Sequence, residues 1–345
     1  MTTHVSSRFV IEAATPRHTD QLYALAKHLD TVNLPADRGA VAQLLLGSEA
    51  SFSGQVRPEN NRRYVFVVED RETGQLVATS SIVAQLGRPE APYVFFDVST
   101  EEKYSRDRQL HYEHQVLRLG FSYDGPTELA GLVVDPAYRQ HGSKLGLCIS
   151  YVRFSYIAAR RAWFQDELLA ELLPPLEPDG TSHLWDALGR RFTNMTYREA
   201  DRLSHENKDF IRDLFPSQAV YVCLLSDEAQ RVIGEVGAQT RGVQKMLTRI
   251  GFAYNDRVDP FDGGPHFTAP TDKVTPIAAH RALPAVVGDG GTTWALVGRF
   301  WDRPPYALSV PALVHLEPDN VVVPNGVLET LQSVPGDVLA VTLML

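Results

Sequence analysis

The sequence predicts an α+β fold built around a largely antiparallel sheet. Two observations support this class. Between residues 63 and 135, short runs rich in β-branched and aromatic residues alternate with polar turns, which is typical of an antiparallel meander. Amphipathic segments with capping signals lie on both sides of that meander, so helices and strands follow one another in an α+β order.

The chain begins with the pattern of one strand followed by two helices. Residues 8–14 read RFVIEAA, a short β-rich run. The next segment, 15–29, starts with Thr15 as a candidate N-cap and repeats leucine on one helical face. A second helical pattern covers about 36–48. We therefore expect a strand and two helices ahead of the meander.

The meander contains the clearest local pattern in the chain. Residues 63–70 and 75–86 form a hairpin, because two β-rich runs are joined by a polar turn that ends in Gly74. Two more paired strands are predicted at 92–100 and 111–121.

A strand, a helix and a second strand follow the meander. They are predicted at 127–135, 143–160 and 166–173, and a polar, helix-rich insertion covers about 174–216.

The elements after the insertion lead into a β-rich tail. A strand at 219–225 precedes a helix capped by Ser226, and residues 240–258 predict a helix closed by Gly251 and then a strand. We expect one large domain over 1–260 and a β-rich subdomain over 261–345.

Composition and charge exclude several classes of function. The 345 residues carry a formal net charge of −9, so a nucleic-acid partner is not expected. The two cysteines, Cys148 and Cys223, lie in apolar runs, which predicts neither a disulfide framework nor a metal site. No signal peptide and no apolar run of about 20 residues is present, which predicts a cytoplasmic protein without a membrane partner.

A basic, glycine-bearing turn lies where the strand at 127–135 meets the next helix. The segment LVVDPAYRQHGSKLG places Arg139, Gly142, Lys144 and Gly146 at this junction. The first N–H groups of a helix have no partner within the helix, so they can bind a phosphate group if glycines allow a close approach. The sequence has neither a Walker-type loop nor a G-x-G-x-x-G motif. From these residues alone, a phosphate site and an ordinary solvated turn both remain open.

This turn resembles the acyl-CoA turn of the GNAT acyltransferase superfamily. The approach through Asp135 and Pro136, followed by Arg139 and Gly142, matches the R-x-x-G-x-G/A pattern. Lys144 departs from it, because a small residue is expected there. The later segment GVQKMLTRIGFAY is similar to the superfamily's helix that ends in Gly-Phe.

A wider resemblance is to the arginine N-succinyltransferase family. The segments that carry it lie in the family's order over about 60–267: YVFVVEDRETGQLVATSSI, TELAGLVVDPAYR, LWDALGRRF with MTYREAD, VYVCLLSDEAQRVIGEVGAQT, and VDPFDGGPHF. The resemblance implies a GNAT-like fold with a mostly antiparallel, mixed sheet, a helical insertion and the β-rich C-terminal unit. It also implies succinyl-CoA or another acyl-CoA as donor and an amino acid or amine, arginine first, as acceptor.

The resemblance also implies the cofactor-binding residues. Leu132 matches the family's CoA-contact position, and Val133 and Val134 follow it in the strand. The turn residues implied to hold the pyrophosphate are Arg139, Gln140, His141, Gly142, Ser143, Lys144 and Gly146.

Three departures from the family pattern fall where catalytic groups are expected. The family's proton-donor histidine is replaced by Gly237, and Ala238 replaces the proline after it. The superfamily's alternative donor, a tyrosine before Gly-Phe, is replaced by Leu247. The family's arginine in A-E-M-R-G is replaced by Leu173. Glycine cannot transfer a proton, so activity is in doubt on this pattern.

Two residues are the first candidates to carry proton transfer instead. Glu128, at the start of the CoA-contact strand, resembles strand glutamates that act as bases through water in other GNAT enzymes. His266, after the Gly-Gly-Pro turn, is the first substitute for the missing histidine, followed by Tyr254 and His141. An isolated histidine is more often a surface residue, and a strand glutamate is more often solvated or ion-paired.

Two functions follow from these observations. The first is an active acyl-CoA-dependent N-acyltransferase that resembles arginine N-succinyltransferase. The second is a non-catalytic CoA-binding chain or a partner subunit of a hetero-oligomeric acyltransferase. Either function is compatible with a homo- or hetero-oligomer.

Overall fold

The chain forms two compact units in a computed structural model that describes residues 8–28, 34–88, 91–177, 180–206 and 208–344. The first unit comprises Met1–Gln85, Thr127–Asp166 and Thr271–Leu345. The second comprises Leu86–Pro126 and Glu167–Pro270. Both units are discontinuous in sequence. The predicted boundary at 260 falls inside the second unit, and the β-rich tail belongs to the first unit from Thr271 onward.

The strands and helices of the described ranges are numbered in chain order. The strands are β1 Phe9–Ala13, β2 Arg63–Asp70, β3 Gln75–Val83, β4 Tyr93–Ser105, β5 Leu110–Ser122, β6 Thr127–Val134, β7 Glu167–Glu171, β8 Val220–Tyr221, β9 Ala253–Val258, β10 Pro265–Pro270, β11 Arg281–Val287, β12 Thr293–Phe300, β13 Ala307–Leu316, β14 Val321–Val323 and β15 Val338–Leu343. The helices are α1 Thr19–Ala26, α2 Arg38–Phe52, α3 Leu145–Ala159, α4 Arg190–Thr193, α5 Tyr197–Glu206, α6 Asp209–Leu214, α7 Asp227–Val232, α8 Arg241–Arg249, α9 Thr275–Ala278 and α10 Asn325–Thr330.

The strands of the first unit are mostly antiparallel. They lie in the order β12-β15-β11-β14-β13-β1-β2-β3-β6, and the β11–β14 pair is parallel. Strand β12 also pairs with β13, so β11 to β15 close into a ring. Apolar side chains from these strands and from α10 form one buried core. The predicted mixed, mostly antiparallel sheet is confirmed.

The predicted β2–β3 hairpin is confirmed. Arg63 pairs with Val83 and Asp70 with Gln75, with one irregularity after Val68. The predicted first helix is present as a short 3₁₀ turn and α1, and its predicted end at residue 29 lies outside the described residues.

The second unit is an antiparallel sheet covered by short helices. Its strands lie in the order β7-β10-β9-β4-β5-β8, and β4 and β5 pair over their full length. The predicted helical segment contains a π-helix, Trp185–Gly189, followed by α4 to α6. Trp185 is fully buried and stacks on Phe261, with ring centroids 5.0 Å apart. Because this contact joins the helices to the turn ahead of β10, it anchors the helical segment.

The predicted strand over 219–225 is mostly wrong. Only Val220–Tyr221 pairs, against β5, and a 3₁₀ turn follows over Val222–Leu224. Ser226 caps α7 by accepting a hydrogen bond from the Ala229 N–H. The chain must therefore turn before Ser226, which leaves Leu224 78% exposed.

None of the helices in the described ranges is both long and apolar enough to cross a membrane.

Candidate functional site

Strand β6 contains a bulge beside the predicted CoA-contact residue. Ser81 pairs with Ala130 and Thr79 with Val133, so one residue of β3 faces both Gly131 and Leu132. Gly131 has φ +56°, a conformation that costs glycine little and other residues more. The bulge interrupts the regular hydrogen-bond ladder with β3 next to Leu132.

The turn after β6 is anchored to the end of β2. Asp135 accepts a hydrogen bond from the Ala137 N–H at 2.8 Å and starts a 3₁₀ turn, Pro136–Tyr138. The hydroxyl of Tyr138 donates to Asp70 Oδ2 at 3.1 Å. Asp70 also receives two hydrogen bonds from Arg8, at 2.7 and 2.9 Å. This buried carboxylate therefore fixes the start of the turn.

The Asp70 anchor predicts a pH-dependent stability. The Arg8 hydrogen bonds hold the pKa of Asp70 below its ordinary value. Its contribution is therefore present above the ordinary aspartate pKa and is lost as the pH falls through the lowered pKa of the folded state. We expect Asp70→Asn to lower the free energy of unfolding by about 1–3 kcal/mol at pH 7, because it leaves Arg8 and Tyr138 without a charged acceptor.

Urea unfolding of both proteins at pH 7 and at about pH 2, well below the ordinary aspartate pKa, checks this prediction. The difference between them should shrink at the acidic pH. A constant difference across the two pH values would contradict the role of the Asp70 charge.

The N-terminus of α3 begins at a residue in the left-handed region. Lys144 has φ +48° and ψ +49°, and its carbonyl accepts hydrogen bonds from the N–H groups of Leu147 and Cys148. The N–H groups of Leu145 and Gly146 come at the helix start, where no carbonyl of the helix can accept them. The Lys144 ammonium lies 5.2 Å from the centre of the Trp294 ring. Lys144 thus takes the place of a small residue by adopting a backbone conformation usual for glycine.

Some of the remaining residues of the turn are exposed to solvent, and others contact neighbouring residues. Arg139 is exposed, and its Nε donates to the Val134 carbonyl at 3.2 Å. The His141 ring packs edge-on against Phe9, and its Nδ1 accepts the Ser143 N–H at 3.2 Å. Gln140 and Gly142 are exposed. A Cβ at position 142 would meet no atom within 4 Å, and one at Gly146 would meet only Val134 Cγ2 at 3.6 Å. The turn is therefore open on the side of its glycines.

Glu128 lies on β6 ahead of the bulge. It pairs with Val83 of β3 and is 5% exposed. It precedes Gly131 by three residues, which is about 10 Å along a strand.

The second unit holds His266, and not in a surface loop. His266 lies on β10 opposite Glu171 and is 0% exposed. Its Nδ1 is 2.7 Å from the hydroxyl oxygen of Tyr93, and its Nε2 is 3.5 Å from Glu171 Oε1. Burial lowers the pKa of His266 to about 3, with the charges of Arg257 and Lys208 adding to the effect. The imidazole is therefore neutral at neutral pH.

Gly237 and His266 lie against the same short segment at the end of β7. The Gly237 N–H donates to the Leu173 carbonyl at 2.9 Å, and His266 faces Glu171 across the β10–β7 pair. A Cβ at position 237 would lie 2.6 Å from the carbonyl oxygen of Pro174. Gly237 and Leu173, where the sequence was expected to depart from the family pattern, thus lie on or against the segment that follows Glu171, the partner of His266.

The other candidates have less suitable surroundings. Burial raises the pKa of Tyr254 on β9 to about 12. Cys148 is buried in α3, and burial raises the pKa of its thiol to about 12, in line with the predicted packing role.

The sequence predictions missed Tyr93, Glu171 and Asp259 as neighbours of His266. The one local signal was Asp259, which directly precedes the segment PFDGGP.

Comparisons with known proteins agree on one family. The model of the AstA family, described as arginine N-succinyltransferase beta subunit, matches residues 9–276. Arginine N-succinyltransferases of Citrobacter koseri and Salmonella paratyphi B are each 34% identical over 257 residues, 74% of this chain and 74% of theirs. The structure of arginine/ornithine succinyltransferase subunit AI from Pseudomonas aeruginosa superposes with a TM-score of 0.85 at 28% identity, covering 98% of this chain and 99% of that one.

The family match includes every element described above as part of a site. Residues 9–276 contain the β6 bulge, the turn before α3, Gly237 and His266. The α+β, GNAT-like fold predicted from the sequence is confirmed by the superposition over almost the whole chain. This chain belongs to the arginine N-succinyltransferase family of acyl-CoA-dependent N-acyltransferases.

Proposed function

We propose that this chain transfers a succinyl group from succinyl-CoA to the α-amino group of arginine or a related amine. The observation that carries the proposal is the bulge at Gly131 and Leu132, which is followed directly by an anchored turn and an open helix start. A thioester carbonyl needs backbone N–H groups outside a regular ladder, and a pyrophosphate needs the free N–H groups of a helix start. One continuous segment supplies both.

The turn is proposed to hold the phosphates of the acyl-CoA. The N–H groups of Leu145 and Gly146 donate to them, and the exposed guanidinium of Arg139 adds a charge. Leu132, Val133 and Val134 are proposed to contact the thioester and the pantetheine arm through their backbone. Gln140, His141, Gly142, Ser143 and Lys144 complete the turn around the phosphates.

The reaction joins an amine to the acyl carbon. The neutral amine attacks the thioester carbonyl, the C–S bond of the tetrahedral intermediate breaks, and the thiolate leaves and takes up a proton. We propose that Glu128 accepts the proton lost by the amine through a water molecule. Its burial and its position on the bulged strand support this role.

His266 is proposed to act as an acceptor toward the amine. In the tautomer that carries its proton on Nδ1, His266 donates to the hydroxyl oxygen of Tyr93 and presents the lone pair of Nε2. A neutral imidazole with a low pKa is a poor proton donor at neutral pH. The role that its surroundings favour is therefore a hydrogen-bond acceptor, in place of the proton donor that the resemblance implied at position 237.

One observation favours the alternative function, a non-catalytic CoA-binding or partner subunit. The backbone at Gly237 has no space for a Cβ, so the family's histidine does not fit there unless the segment at Leu173 and Pro174 moves. A chain built this way binds acyl-CoA through its turn without completing the reaction.

A thiol-release assay separates the two functions. We expect turnover with succinyl-CoA and arginine, and weaker turnover with acetyl-CoA or ornithine. Arg139→Gln should raise the Kd for CoA about five- to tenfold, since it removes one charged contact. Arg303→Gln, at an exposed arginine of the same unit, serves as the matched control and should leave the Kd unchanged.

Each negative result has a separate meaning. CoA binding without turnover for any donor and acceptor pair would support the non-catalytic function. Absence of CoA binding in calorimetry would contradict the proposed function as a whole.

A further inference from the structure

Three side chains of the second unit converge around one point at the start of β10. They are Glu171 at the end of β7, Asp259 in the turn after β9, and His266. Each residue contributes one possible ligand atom. These atoms, two carboxylate oxygens and an imidazole nitrogen, lie within 4.8 Å of one another. We call these three residues the β10 cluster. Its atoms are acceptors or anions, so its complement is a cation.

The buried nitrogen of His266 is the observation that points to a ligand. His266 is fully buried, and its Nε2 makes no hydrogen bond within the part of the chain that the structure describes. Leaving a buried polar atom without a partner costs about 1–3 kcal/mol. The other nitrogen is held by Tyr93, which fixes the ring so that Nε2 faces the carboxylate of Glu171. In the tautomer that carries its proton on Nδ1, the lone pair of Nε2 faces this carboxylate and is satisfied by a donor that contacts both atoms.

The carboxylate of Asp259 is held in place by its own turn. Its Oδ1 accepts the N–H groups of Phe261 at 2.7 Å and Asp262 at 3.2 Å. Arg257, a cation on the neighbouring strand, forms an ion pair with Asp97 at 2.8 Å. Arg257 is thus engaged with another acid, while the charge of Lys208 acts on both Asp259 and His266.

We propose that the β10 cluster binds the protonated primary amine of the acceptor. This inference rests on the proposed function, which supplies an amine substrate. An ammonium group has three N–H donors and no acceptor. The Nε2 of His266 and the Oε1 of Glu171 lie 3.5 Å apart, so an ammonium placed beside this pair can contact both atoms.

The exposure of the cluster fits entry of a small molecule. The side chain of Glu171 is 32% exposed, while that of His266 is fully covered. The amine is therefore expected to meet Glu171 first and His266 last. Because a metal ion would use the same atoms, the sequence-based prediction of no metal is tested by the same experiment.

The test compares Glu171→Gln with a matched control. Glu171→Gln removes one charge from a partly exposed position and is expected to preserve the fold. Glu113→Gln changes one member of an exposed cluster, Glu102, His111 and Glu113, on the β4–β5 hairpin of the same unit. We expect Glu171→Gln to raise the KM for arginine at least tenfold with the KM for acyl-CoA unchanged, and Glu113→Gln to change neither.

Two arginine analogues identify which group the cluster binds. Agmatine keeps the primary amine and lacks the carboxylate, whereas des-amino arginine keeps the guanidinium and carboxylate and lacks the amine. Calorimetry should show that Glu171→Gln raises the Kd for agmatine at least tenfold and leaves the Kd for des-amino arginine unchanged. His266→Gln, which replaces the imidazole by an amide, should also raise the Kd for agmatine.

Several results would overturn the proposal. One is an equal loss of affinity for both analogues in Glu171→Gln. Another is an equal change in the KM for arginine in Glu171→Gln and Glu113→Gln. A third is that neither arginine nor agmatine binds to the wild-type chain. A further one is Zn²⁺ binding by EDTA-treated protein that requires His266 and displaces agmatine, because the occupant would then be a metal ion. If agmatine binds in a Glu171-dependent way but no donor gives turnover, the proposed function fails and the amine site stands.

Discussion

Glu128→Gln is expected to lower kcat about 10²–10⁴-fold and to leave acyl-CoA binding unchanged. Glutamine keeps the size of the side chain but cannot accept a proton, so the variant removes the base and preserves the packing of β6. General acid–base catalysis contributes this range of rate enhancement. The loss should be nearly the same in kcat and in kcat/KM for the acceptor, because the carboxylate acts in the chemical step.

Stopped-flow thiol release at saturating acyl-CoA and arginine measures this effect. Because Glu128 is buried, the thermal midpoint of the variant should be recorded alongside its kinetics. A variant that folds, binds CoA and retains wild-type kcat would remove Glu128 from the mechanism.

Gly237→His is expected to destabilise the second unit and not to increase turnover. A Cβ at this position would lie 2.6 Å from the Pro174 carbonyl oxygen and 2.9 Å from that of Leu173, both backbone atoms. The backbone must shift, and the hydrogen bond from the Gly237 N–H to Leu173 weakens with it. Overpacking of this kind costs about 1–3 kcal/mol in the free energy of unfolding.

A matched glycine in the same unit provides the control. Gly242 lies in α8, and a Cβ there would meet no atom within 4 Å. Gly242→Ala should be neutral or stabilise by up to about 1 kcal/mol, because alanine is a better helix former. Urea unfolding ranks Gly237→Ala, Gly237→His and Gly242→Ala by their free energies of unfolding. A Gly237→His variant as stable as wild type, with higher turnover, would show that the segment at Pro174 adapts to the histidine.

The elements with local sequence signals were predicted well. The hairpin of β2 and β3 follows from period-two patterning and a polar turn, and the helix capped by Ser226 follows from its capping residue. The short β8 was overestimated, because an apolar run does not reveal that the chain must turn before a nearby cap.

The candidate site was predictable only where it is continuous in sequence. The turn before α3 is one segment, so its residues could be named together. The β10 cluster draws on β7, the turn after β9 and β10, and the register of distant strands decides which side chains meet. His266 was predicted as a proton donor after the Gly-Gly-Pro turn, with a surface loop residue as the alternative. It is buried because β10 already begins at Pro265.

The closed ring of the first unit sets the order in which the newly made chain can complete its folding. Strand β1 pairs with β13, and β15 lies between β11 and β12, so β1 waits for a partner that is made about 300 residues later. Every residue of the second unit has been synthesised by Pro270. Long-range pairing of this kind is slow, because the intervening chain must be ordered first. During translation, the second unit can therefore fold on the ribosome while the sheet that carries the turn proposed to bind acyl-CoA is still incomplete.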